Sequence, residues 1–240
     1  MNTTTTTAKN PKLVKSMFAS VAHKYDRANS VLSMGIHHLW RAKLVKLSGL
    51  KEGQKVLDCA TGTGDLAIAF KKVVGSQGEV IGTDFCKEML SYAPQKAQTQ
   101  GLNIQFELAD VMNLPYADSL FDVASISFGI RNVADPKKSI FEMARVVKPG
   151  GKVMVLEFGQ VNIPIIGSLY NFYSERVLPK IGGWVTGEEQ AYQYLQKSSA
   201  QFPCRESFVQ LMKESTAFTT VKYYPLSFGI AYIYIGEVQK

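Results

Sequence analysis

The segment that most constrains the fold is Val56–Asp65, an apolar run that ends in an acid and continues into a glycine-rich turn. Gly62 and Gly64 allow the main chain to bend tightly and to approach a ligand without an intervening Cβ. Leu66–Phe70 then begins a helix whose first amides point towards that ligand. This order predicts an α/β sheet that presents its backbone to a nucleotide-like ligand.

The turn by itself leaves two ligand classes open. The segment Gly62–Ala67 also fits the dinucleotide fingerprint with alanine in the third glycine position, and Asp84 follows Gly64 by 20 residues. Asp84 closes a second predicted strand, where its carboxylate can accept hydrogen bonds from two ribose hydroxyls. Those hydroxyls occur in both NAD and S-adenosylmethionine, so an NAD-dependent oxidoreductase remains an alternative at this point.

Three further features favour S-adenosylmethionine. Asp58 lies four residues before Gly62, at a place where an acid suits a cationic sulfonium better than a pyrophosphate. A third predicted strand ends at Asp110, which can accept a hydrogen bond from an adenine amino group. A fourth strand near 121–127 and a helix, Pro-Gly-Gly turn and strand between Ala144 and Glu157 complete a series of ligand-facing strand ends.

This series resembles the class I methyltransferases that use S-adenosylmethionine, over Val56 to Phe158. Lys24-Tyr25-Asp26, the segment 127–133, Gln190–Leu195 and Phe202-Pro203 resemble the ubiquinone/menaquinone biosynthesis C-methyltransferase family. That narrower resemblance spans about Phe18 to Gly236. It implies methylation of the ring of a polyprenylated quinol, with S-adenosyl-L-methionine as the cofactor. Whether the ring is a benzoquinol or a naphthoquinol stays open.

The predicted architecture is α/β and Rossmann-like, a mostly parallel seven-stranded sheet with helices on both faces. With 46% hydrophobic residues among 240, the chain can bury one large core. Strands are predicted near 55–59, 79–84, 104–109, 121–127, 152–158, 217–224 and 229–238. Helices are predicted near 64–74, 86–99 and 136–147. Residues 1–10 are expected to be a disordered tail, and 11–240 a single methyltransferase domain.

We divide that domain into four predicted parts. They are an N-terminal helical cap (11–51), a cofactor-binding core (52–159), a helical substrate lid (160–215) and closing antiparallel strands (216–240). The lid contains prolines and glycines as helix ends, and it precedes the terminal pair of strands. An insertion at that place is suited to covering a substrate.

Cofactor-binding residues are predicted partly from the residues and partly from the resemblance. The strand-end acid Asp58 and the turn glycines Gly62 and Gly64 follow from the turn itself. The family resemblance implies contacts from Thr63, Asp84, Asp110, Val111 and Ser127. Ala60 occupies the place of the first glycine in the broader methyltransferase pattern, which puts the local turn geometry in question.

Catalytic residues are predicted just beyond the fourth strand and on the N-terminal helices. Arg131 is the leading candidate; since an arginine guanidinium stays protonated in proteins, it would stabilise phenolate charge or orient a water, not act as a base. Asn132 would hold that water or a quinol oxygen. Tyr25 and Asp26 are further candidates on the lid side. A purely structural salt bridge for Arg131 and a helix cap for Asp26 are the alternatives.

The net charge of +7 is concentrated at one end of the chain. Residues 1–51 contain nine Lys or Arg and one acid, a balance of +8, whereas the other 18 bases and 19 acids give −1. An amphipathic helix with Lys12, Lys15 and Lys24 outside its apolar stripe is predicted there. Two roles are open for this helix, capping the sheet and contacting anionic lipid, and one helix can fulfil both.

The remaining expectations concern partners and location. The chain lacks an 18-residue apolar run and an apolar leader, which predicts a cytoplasmic protein peripherally associated with the inner face of the membrane. No metal site and no nucleic-acid partner are expected, and a homodimer is left open. The alternatives from other classes are a nucleic-acid or other small-molecule methyltransferase and a non-catalytic S-adenosylmethionine-binding module.

Overall fold

A seven-stranded sheet forms the centre of the computed structural model, which describes residues 11–215 and 217–239 without the side chains of Ile165 and Ile166. The strand order is β3-β2-β1-β4-β5-β7-β6. The strands are β1 (Lys55–Cys59), β2 (Glu79–Asp84), β3 (Gln105–Leu108), β4 (Phe121–Ser127), β5 (Val147–Phe158), β6 (Phe218–Leu226) and β7 (Ala231–Val238). The tail predicted for residues 1–10 lies outside the described residues.

The five strands β1 to β5 run parallel, and β7 pairs antiparallel with both β5 and β6. The central strands are buried on both faces, with Leu57, Ala124 and Val155 inaccessible to solvent. Continuous apolar runs are typical of such strands, because helices cover both faces of a parallel sheet. The predicted Rossmann-like fold is therefore confirmed.

Helices α4 to α7 connect the parallel strands, α1 to α3 precede β1, and α8 to α11 lie between β5 and β6. Their bounds are α1 (Pro11–Val21), α2 (Tyr25–Leu32), α3 (Ile36–Ser48), α4 (Asp65–Val74), α5 (Lys87–Leu90), α6 (Ala93–Gln98), α7 (Pro136–Val146), α8 (Pro164–Phe172), α9 (Leu178–Thr186), α10 (Glu189–Gln201) and α11 (Glu206–Lys213). A π-helical turn over Tyr173–Val177 joins α8 to α9, and a 3₁₀ turn covers Ile130–Asn132.

Two predicted elements differ from the structure for local reasons. The helix predicted over 86–99 is two helices, and the first ends at Leu90. A proline ring clashes with the carbonyl four residues earlier, so Pro94 prevents one continuous helix through Leu90. The predicted Pro-Gly-Gly turn is part of β5, where the register against β4 shifts and Gly150 has a φ of 79°. These residues form a bulge within the strand.

Candidate active site

Two adjoining cavities open at the carboxyl ends of the parallel strands. The strand-end cavity, about 100 Å³, is bounded by the glycine turn and by residues that follow β2, β3 and β4. The helical cavity, about 250 Å³, is bounded mainly by α1 to α3 and by the helices after β5. Phe18, Tyr25 and Phe128 contribute to both walls. A ligand in one cavity therefore lies next to a ligand in the other.

The glycine turn between β1 and α4 adopts the left-handed backbone that its sequence requires. Gly62 and Gly64 have φ values of 59° and 85°, a region that is costly for residues with a Cβ. A Cβ at Gly62 would lie 3.3 Å from the methyl group of Met89, on the cavity side of the turn. Ala60 takes a left-handed φ of 49° in spite of its side chain. The turn geometry is thus retained at the place where the chain departs from the broader pattern.

Asp84 ends β2 and lies in the wall of the strand-end cavity. Its carboxylate accepts hydrogen bonds from the amides of Gly62 and Cys86, both at 2.8 Å. Burial raises the pKa of Asp84, and the bonds from backbone amides oppose that shift. An ionised carboxylate offers about four acceptor positions, so two remain for a pair of ligand hydroxyls. This arrangement matches the predicted ribose contact.

The residues after β3 and β4 form the rest of this wall. Asp110 and Val111 line the cavity; the Asp110 carboxylate is exposed and accepts a hydrogen bond from the amide of Met112 at 2.9 Å. Ser127 and Asn132 line it from the other side. The hydroxyl of Ser127 and the side-chain carbonyl of Asn132 are buried and have no hydrogen-bond partner among the described residues. Asn132, predicted as catalytic, thus lies beside the predicted cofactor residues.

Asp58, also predicted as a cofactor residue, lies behind the turn and does not line the strand-end cavity. Its two carboxylate oxygens accept hydrogen bonds from the hydroxyls of Thr61 at 2.6 Å and Ser125 at 2.7 Å. Burial raises the pKa of Asp58 to about 6, against the effect of these hydroxyls. Its position suits a role in holding the turn in place against β4.

Thr63 and Asp26 join the glycine turn to the N-terminal helices. The Thr63 hydroxyl donates to the Asp26 carboxylate at 2.6 Å, and Lys96 contacts Asp26 at 2.5 Å. Lys96 also pairs with Asp65, which Arg41 of α3 contacts at 2.6 Å. We call these five side chains the cap network. Thr63, Asp26 and Gly64 are not among the residues that line these two cavities, and the contacts of Asp26 fasten α2 to the glycine turn.

The helical cavity brings together segments that are far apart in the chain. The hydroxyl of Tyr173 donates to the carbonyl of Leu32 at 2.7 Å, which joins the insertion to α2. The indole of Trp40 donates to the hydroxyl of Ser227 at 2.9 Å. Most of the lining side chains are aliphatic or aromatic. The cavity is therefore suited to an apolar ligand with few polar groups.

Arg131 lies in the 3₁₀ turn after β4, and its guanidinium is part of the helical cavity wall. One terminal nitrogen donates to Glu157 at 2.7 Å and to the carbonyl of Phe128 at 2.6 Å. The guanidinium carbon lies 5.3 Å from the centre of the Phe158 ring. Arg131 therefore forms a buried salt bridge and also faces the cavity. Its position is compatible with the structural interpretation and with the catalytic one. Glu157 was not predicted as a site residue, although it is the penultimate residue of β5 and the other acids of the site also lie at or near strand ends.

Four buried side-chain polar atoms lack a hydrogen-bond partner in the described part of the chain, and all four belong to residues that line these cavities. They are Ser127 Oγ and Asn132 Oδ1 in the strand-end cavity and Arg131 Nε and Tyr194 Oη in the helical cavity. Unpaired buried polar groups cost about 1–3 kcal/mol each, so native proteins keep few of them. Their confinement to the two cavities indicates that ligands complete their hydrogen bonding.

A cluster of metal-ligating residue types occurs beside the cap network. Ligand atoms of His37, His38 and Asp65 lie within 4.8 Å of one another. Arg41 and Lys96 already pair with the Asp65 carboxylate, and although burial opposes it, their charges hold the pKa of Asp65 below its usual value. Two cations so close would repel a third. We therefore assign no metal to these residues.

Comparison with known proteins gives a family and a fold. The model of the ubiE/COQ5 methyltransferase family matches residues 5–238. The ubiquinone/menaquinone biosynthesis C-methyltransferase UbiE of Bdellovibrio bacteriovorus is 67% identical over 96% of this chain and 97% of its own length. The protein of the same name from Haemophilus ducreyi is 43% identical over 96% of this chain and 90% of its own length.

Solved structures share the architecture at low sequence identity. A methyltransferase dependent on S-adenosylmethionine from Thermotoga maritima has a TM-score of 0.66 at 21% identity, covering 92% of this chain and 98% of that chain. A second one, from Aquifex aeolicus, has a TM-score of 0.57 at 18% identity and covers 95% of this chain and 98% of that chain. These likenesses concern the fold alone. The family match and the two close relatives show that the chain belongs to the ubiE/COQ5 methyltransferase family and is an S-adenosylmethionine-dependent C-methyltransferase.

Proposed function

We propose that the protein methylates a ring carbon of a polyprenylated quinol in ubiquinone or menaquinone biosynthesis. The observation that carries this proposal is the pair of adjoining cavities with the unpaired polar atoms in their walls. The names of the relatives include both quinone types, so both a benzoquinol and a naphthoquinol are candidate substrates. Their shared chemistry is an electron-rich ring with hydroxyl groups and an apolar chain.

The strand-end cavity is proposed to hold S-adenosylmethionine, which supplies a methyl group activated by a sulfonium. Asp84 would accept from the two ribose hydroxyls, and Asp110 with the amide of Val111 would bind the adenine. Ser127 and Asn132 would use their unpaired oxygens near the methionine part. The glycine turn would bring backbone amides close to the ligand. Behind this layer, Asp58 and Thr63 would hold the turn through their hydrogen bonds.

The helical cavity is proposed to hold the quinol ring and the first part of its chain. With the quinol bound, its apolar walls would exclude water, which strengthens electrostatic interactions within the site. Arg131 would stabilise the negative charge that develops on a ring oxygen, while Glu157 keeps its guanidinium in position. Tyr25, which belongs to both walls, would align the ring with the methyl group. Correct alignment supplies much of the rate enhancement of a two-substrate reaction.

Turnover of a defined substrate tests the proposal directly. The purified protein is mixed with S-adenosylmethionine labelled in its methyl group and with geranyl-1,4-naphthoquinol or a geranyl benzoquinol kept reduced. Mass spectrometry should find one labelled methyl on the ring with at least one of them. The oxidised quinones serve as controls and should not react, because they lack an ionisable hydroxyl. Methylation of RNA or DNA with no turnover of either quinol would contradict the proposal.

We also propose that the protein works at a membrane surface, since a polyprenylated quinol partitions into lipid. No helix within the described residues is long and apolar enough to cross a bilayer. Lys12 and Lys15 are exposed on α1, whose other face contributes Met17 and Phe18 to the helical cavity. Met34 lines the same cavity and is 81% exposed. A basic helix beside an exposed apolar entrance suits contact with anionic lipid.

Vesicle binding tests this location. Changing Lys12, Lys15 and Lys24 to Glu should lower binding to phosphatidylglycerol vesicles by at least about 100-fold, since each lysine near the surface contributes about 1 kcal/mol. Lys72, Lys213 and Lys222 changed to Glu form the control with the same change in net charge. Activity on a long-chain quinol should fall with vesicle binding, and activity on the geranyl quinol should persist. Equal binding by both triple variants would refute a specific role for the N-terminal lysines.

We also propose that two copies of the chain form a homodimer. The outer edge of β6 has no paired strand among the described residues, and such edges can pair with a second chain. Sedimentation equilibrium of the purified protein measures the assembly directly. A single species of about 27 kDa across the concentration range would exclude the dimer under those conditions.

A further inference from the structure

His37 is a buried titratable side chain in the helical cavity to which the mechanism above assigns no role. It is 5% exposed and is the second residue of α3, directly after the turn at Gly35. The imidazole lines the same cavity as Arg131 and Tyr194. The imidazole, which can carry a proton on either ring nitrogen, therefore lies in the helical cavity proposed for the quinol.

The hydrogen bonds of Ser33 determine which imidazole nitrogen carries the proton. The Ser33 hydroxyl donates its one proton to the carbonyl of Asn29 at 2.7 Å. The same hydroxyl oxygen lies 2.5 Å from Nδ1 of His37. Since a hydroxyl has a single proton to donate, Nδ1–H must be the donor in this second contact. Neutral His37 then has an unprotonated Nε2, whose lone pair can accept a hydrogen bond or a proton.

The surroundings keep the imidazole neutral. Burial, together with the charges of Arg41 and His38, lowers the pKa of His37 to about 4, while Asp65 and Asp26 act in the opposite direction. The amino end of α3 also disfavours a positive charge at this place. His37 is therefore unprotonated across the physiological pH range and able to accept a proton.

We infer that Nε2 of His37 accepts the proton released by the quinol when its ring is methylated. The inference rests on the function proposed above and assigns the proton acceptor for that reaction. Arg131 cannot fill this role, because its guanidinium stays protonated. The two residues thus divide the work, since Arg131 stabilises charge on oxygen and His37 removes a proton.

The step balances in atoms and charge. The ring carbon forms a bond to the methyl group, and the carbon–sulfur bond breaks with its electron pair left on sulfur. The hydroxyl proton moves to Nε2, which leaves a neutral ring that carries both hydrogen and methyl on one carbon. That ring hydrogen then moves as a proton through water to the ring oxygen, which restores the hydroxyl and the aromatic ring. One positive charge leaves sulfur and one appears on His37, which releases its proton to solvent after the product departs.

A weak base is sufficient for this transfer. A free phenol has a pKa near 10 and would not ionise towards a group such as His37. During methyl transfer the ring becomes electron-poor, so the hydroxyl becomes strongly acidic while the new bond forms. General base catalysis of this kind contributes about 100-fold to 10,000-fold to the rate. Asp65 and Asp26 offset part of the charge that appears on the imidazole.

The first test compares two neighbouring histidines. His37→Gln removes the basic nitrogen, and His38→Gln changes an exposed residue that contacts the His37 ring but does not line the cavity. With geranyl-1,4-naphthoquinol, we expect kcat of His37→Gln to fall at least about 100-fold and kcat of His38→Gln to stay within about threefold. Calorimetry should show unchanged S-adenosylmethionine affinity in both variants.

The pH profile separates a proton acceptor from a packing residue. Between pH 7 and 9, kcat of His37→Gln should rise about tenfold per unit, since the quinol must then ionise into solvent with a pKa near 10. The wild type should be level between pH 6 and 8. A His37→Gln variant with near-normal kcat, or with reduced kcat and a level profile, would overturn the assignment.

A measurement on the wild-type protein covers the case in which the variant fails to fold. In protein with ¹⁵N-labelled histidine, the NMR spectrum of His37 should show the neutral Nδ1–H form from pH 5 to 8. Finding the Nε2–H form, or an imidazolium at pH 7, would overturn the inference even if the quinol is methylated. A wild type that methylates neither quinol would instead refute the proposed function.

Discussion

The two cavities of this protein differ in how their walls are assembled. The strand-end cavity is formed mainly by short segments that follow β1 to β4, each one positioned by the strand before it, and the N-terminal helices add Phe18 and Tyr25. The helical cavity is formed by three N-terminal helices and by the insertion after β5, which meet through contacts such as Tyr173 with Leu32. The first site is therefore part of the sheet edge, while the second is completed only when distant helices pack together.

This difference suggests how binding and chemistry are divided. Residues of the strand-end cavity would hold one ligand at the ends of the strands, and Asp84 is bonded to the amide of Gly62 in the glycine turn. Arg131 follows the end of β4 and lines the apolar helical cavity, and Glu157 near the end of β5 pairs with it from behind. Substitutions in the first group should act on cofactor affinity, and substitutions in the second on turnover. The four predictions below test that division, from the largest expected effect to the smallest.

Replacing Arg131 by Met should lower kcat by at least about 100-fold without changing cofactor affinity, because charge on the quinol oxygen loses its partner. It should also lower the free energy of unfolding by about 3–5 kcal/mol, since Glu157 is left as an unpaired buried charge. The double variant Arg131→Met/Glu157→Gln is the control. It should recover stability in urea unfolding but not turnover. Normal turnover by the double variant would mean that the pair is structural only.

Asp84→Asn should weaken S-adenosylmethionine binding by about 2–4 kcal/mol, since two charge-assisted hydrogen bonds to ribose become weaker. Asn is chosen over Ala because the amides of Gly62 and Cys86 also need an acceptor at this place. Titration calorimetry measures the affinity, and Asp118→Asn, an exposed acid outside both cavities, is the control. At saturating cofactor, kcat should stay near that of the wild type. A large loss of kcat with normal affinity would break the proposed division.

Asp58 should make stability depend on pH. Its folded-state pKa of about 6 exceeds the unfolded value of about 3.8, so the native state binds the proton more tightly. Stability from this group is therefore greatest below pH 4 and is lost as pH rises towards 6, by up to about 3 kcal/mol. In urea unfolding, the free energy of unfolding of Asp58→Asn should increase relative to that of the wild type as the pH rises from 4 to 6. A difference that is independent of pH would refute this assignment.

Asp26→Asn should have the smallest effect. The Asp26 side chain is 43% exposed, and exposed ion pairs contribute about 0.2–1 kcal/mol. We expect a rise of no more than about fivefold in KM for the quinol, because the N-terminal cap is held less firmly on the glycine turn, and an unchanged kcat. Steady-state kinetics with the geranyl quinol measures both. A 100-fold fall in kcat would restore the catalytic role that the sequence pattern favoured.

The predicted site residues that lie together in one cavity wall are those governed by local rules. Asp84, Asp110 and Ser127 line the strand-end cavity because each one ends or follows a recognisable apolar strand, and parallel strands bring their carboxyl ends to one edge. Asp58 was predicted in the same way but lies behind the turn. Its position near a strand end does not reveal that the hydroxyls of Thr61 and Ser125 donate to both of its carboxylate oxygens.

The helical cavity was much less accessible to prediction. Met34 and Trp40 carry no local signal, and they share one wall with Tyr194 only because segments separated by more than a hundred residues pack together. The pairing of Arg131 with Glu157 likewise depends on the register between β4 and β5, which a shift near Phe121 alters. His37 was given no function, because neither its burial nor its contact with Ser33 is visible in the sequence.

The sequence alone determined that acids and a glycine turn lie at one edge of the sheet, and it indicated the class of ligand that binds there. These features depend on hydrophobic periodicity, on backbone freedom at Gly62 and Gly64, and on acids placed at strand ends, all of which act over a few residues. Tertiary structure decided which side chains face a ligand and which hold the fold. Long-range packing sets burial, and burial determines whether Asp58, Arg131 and His37 are exposed, paired or neutral.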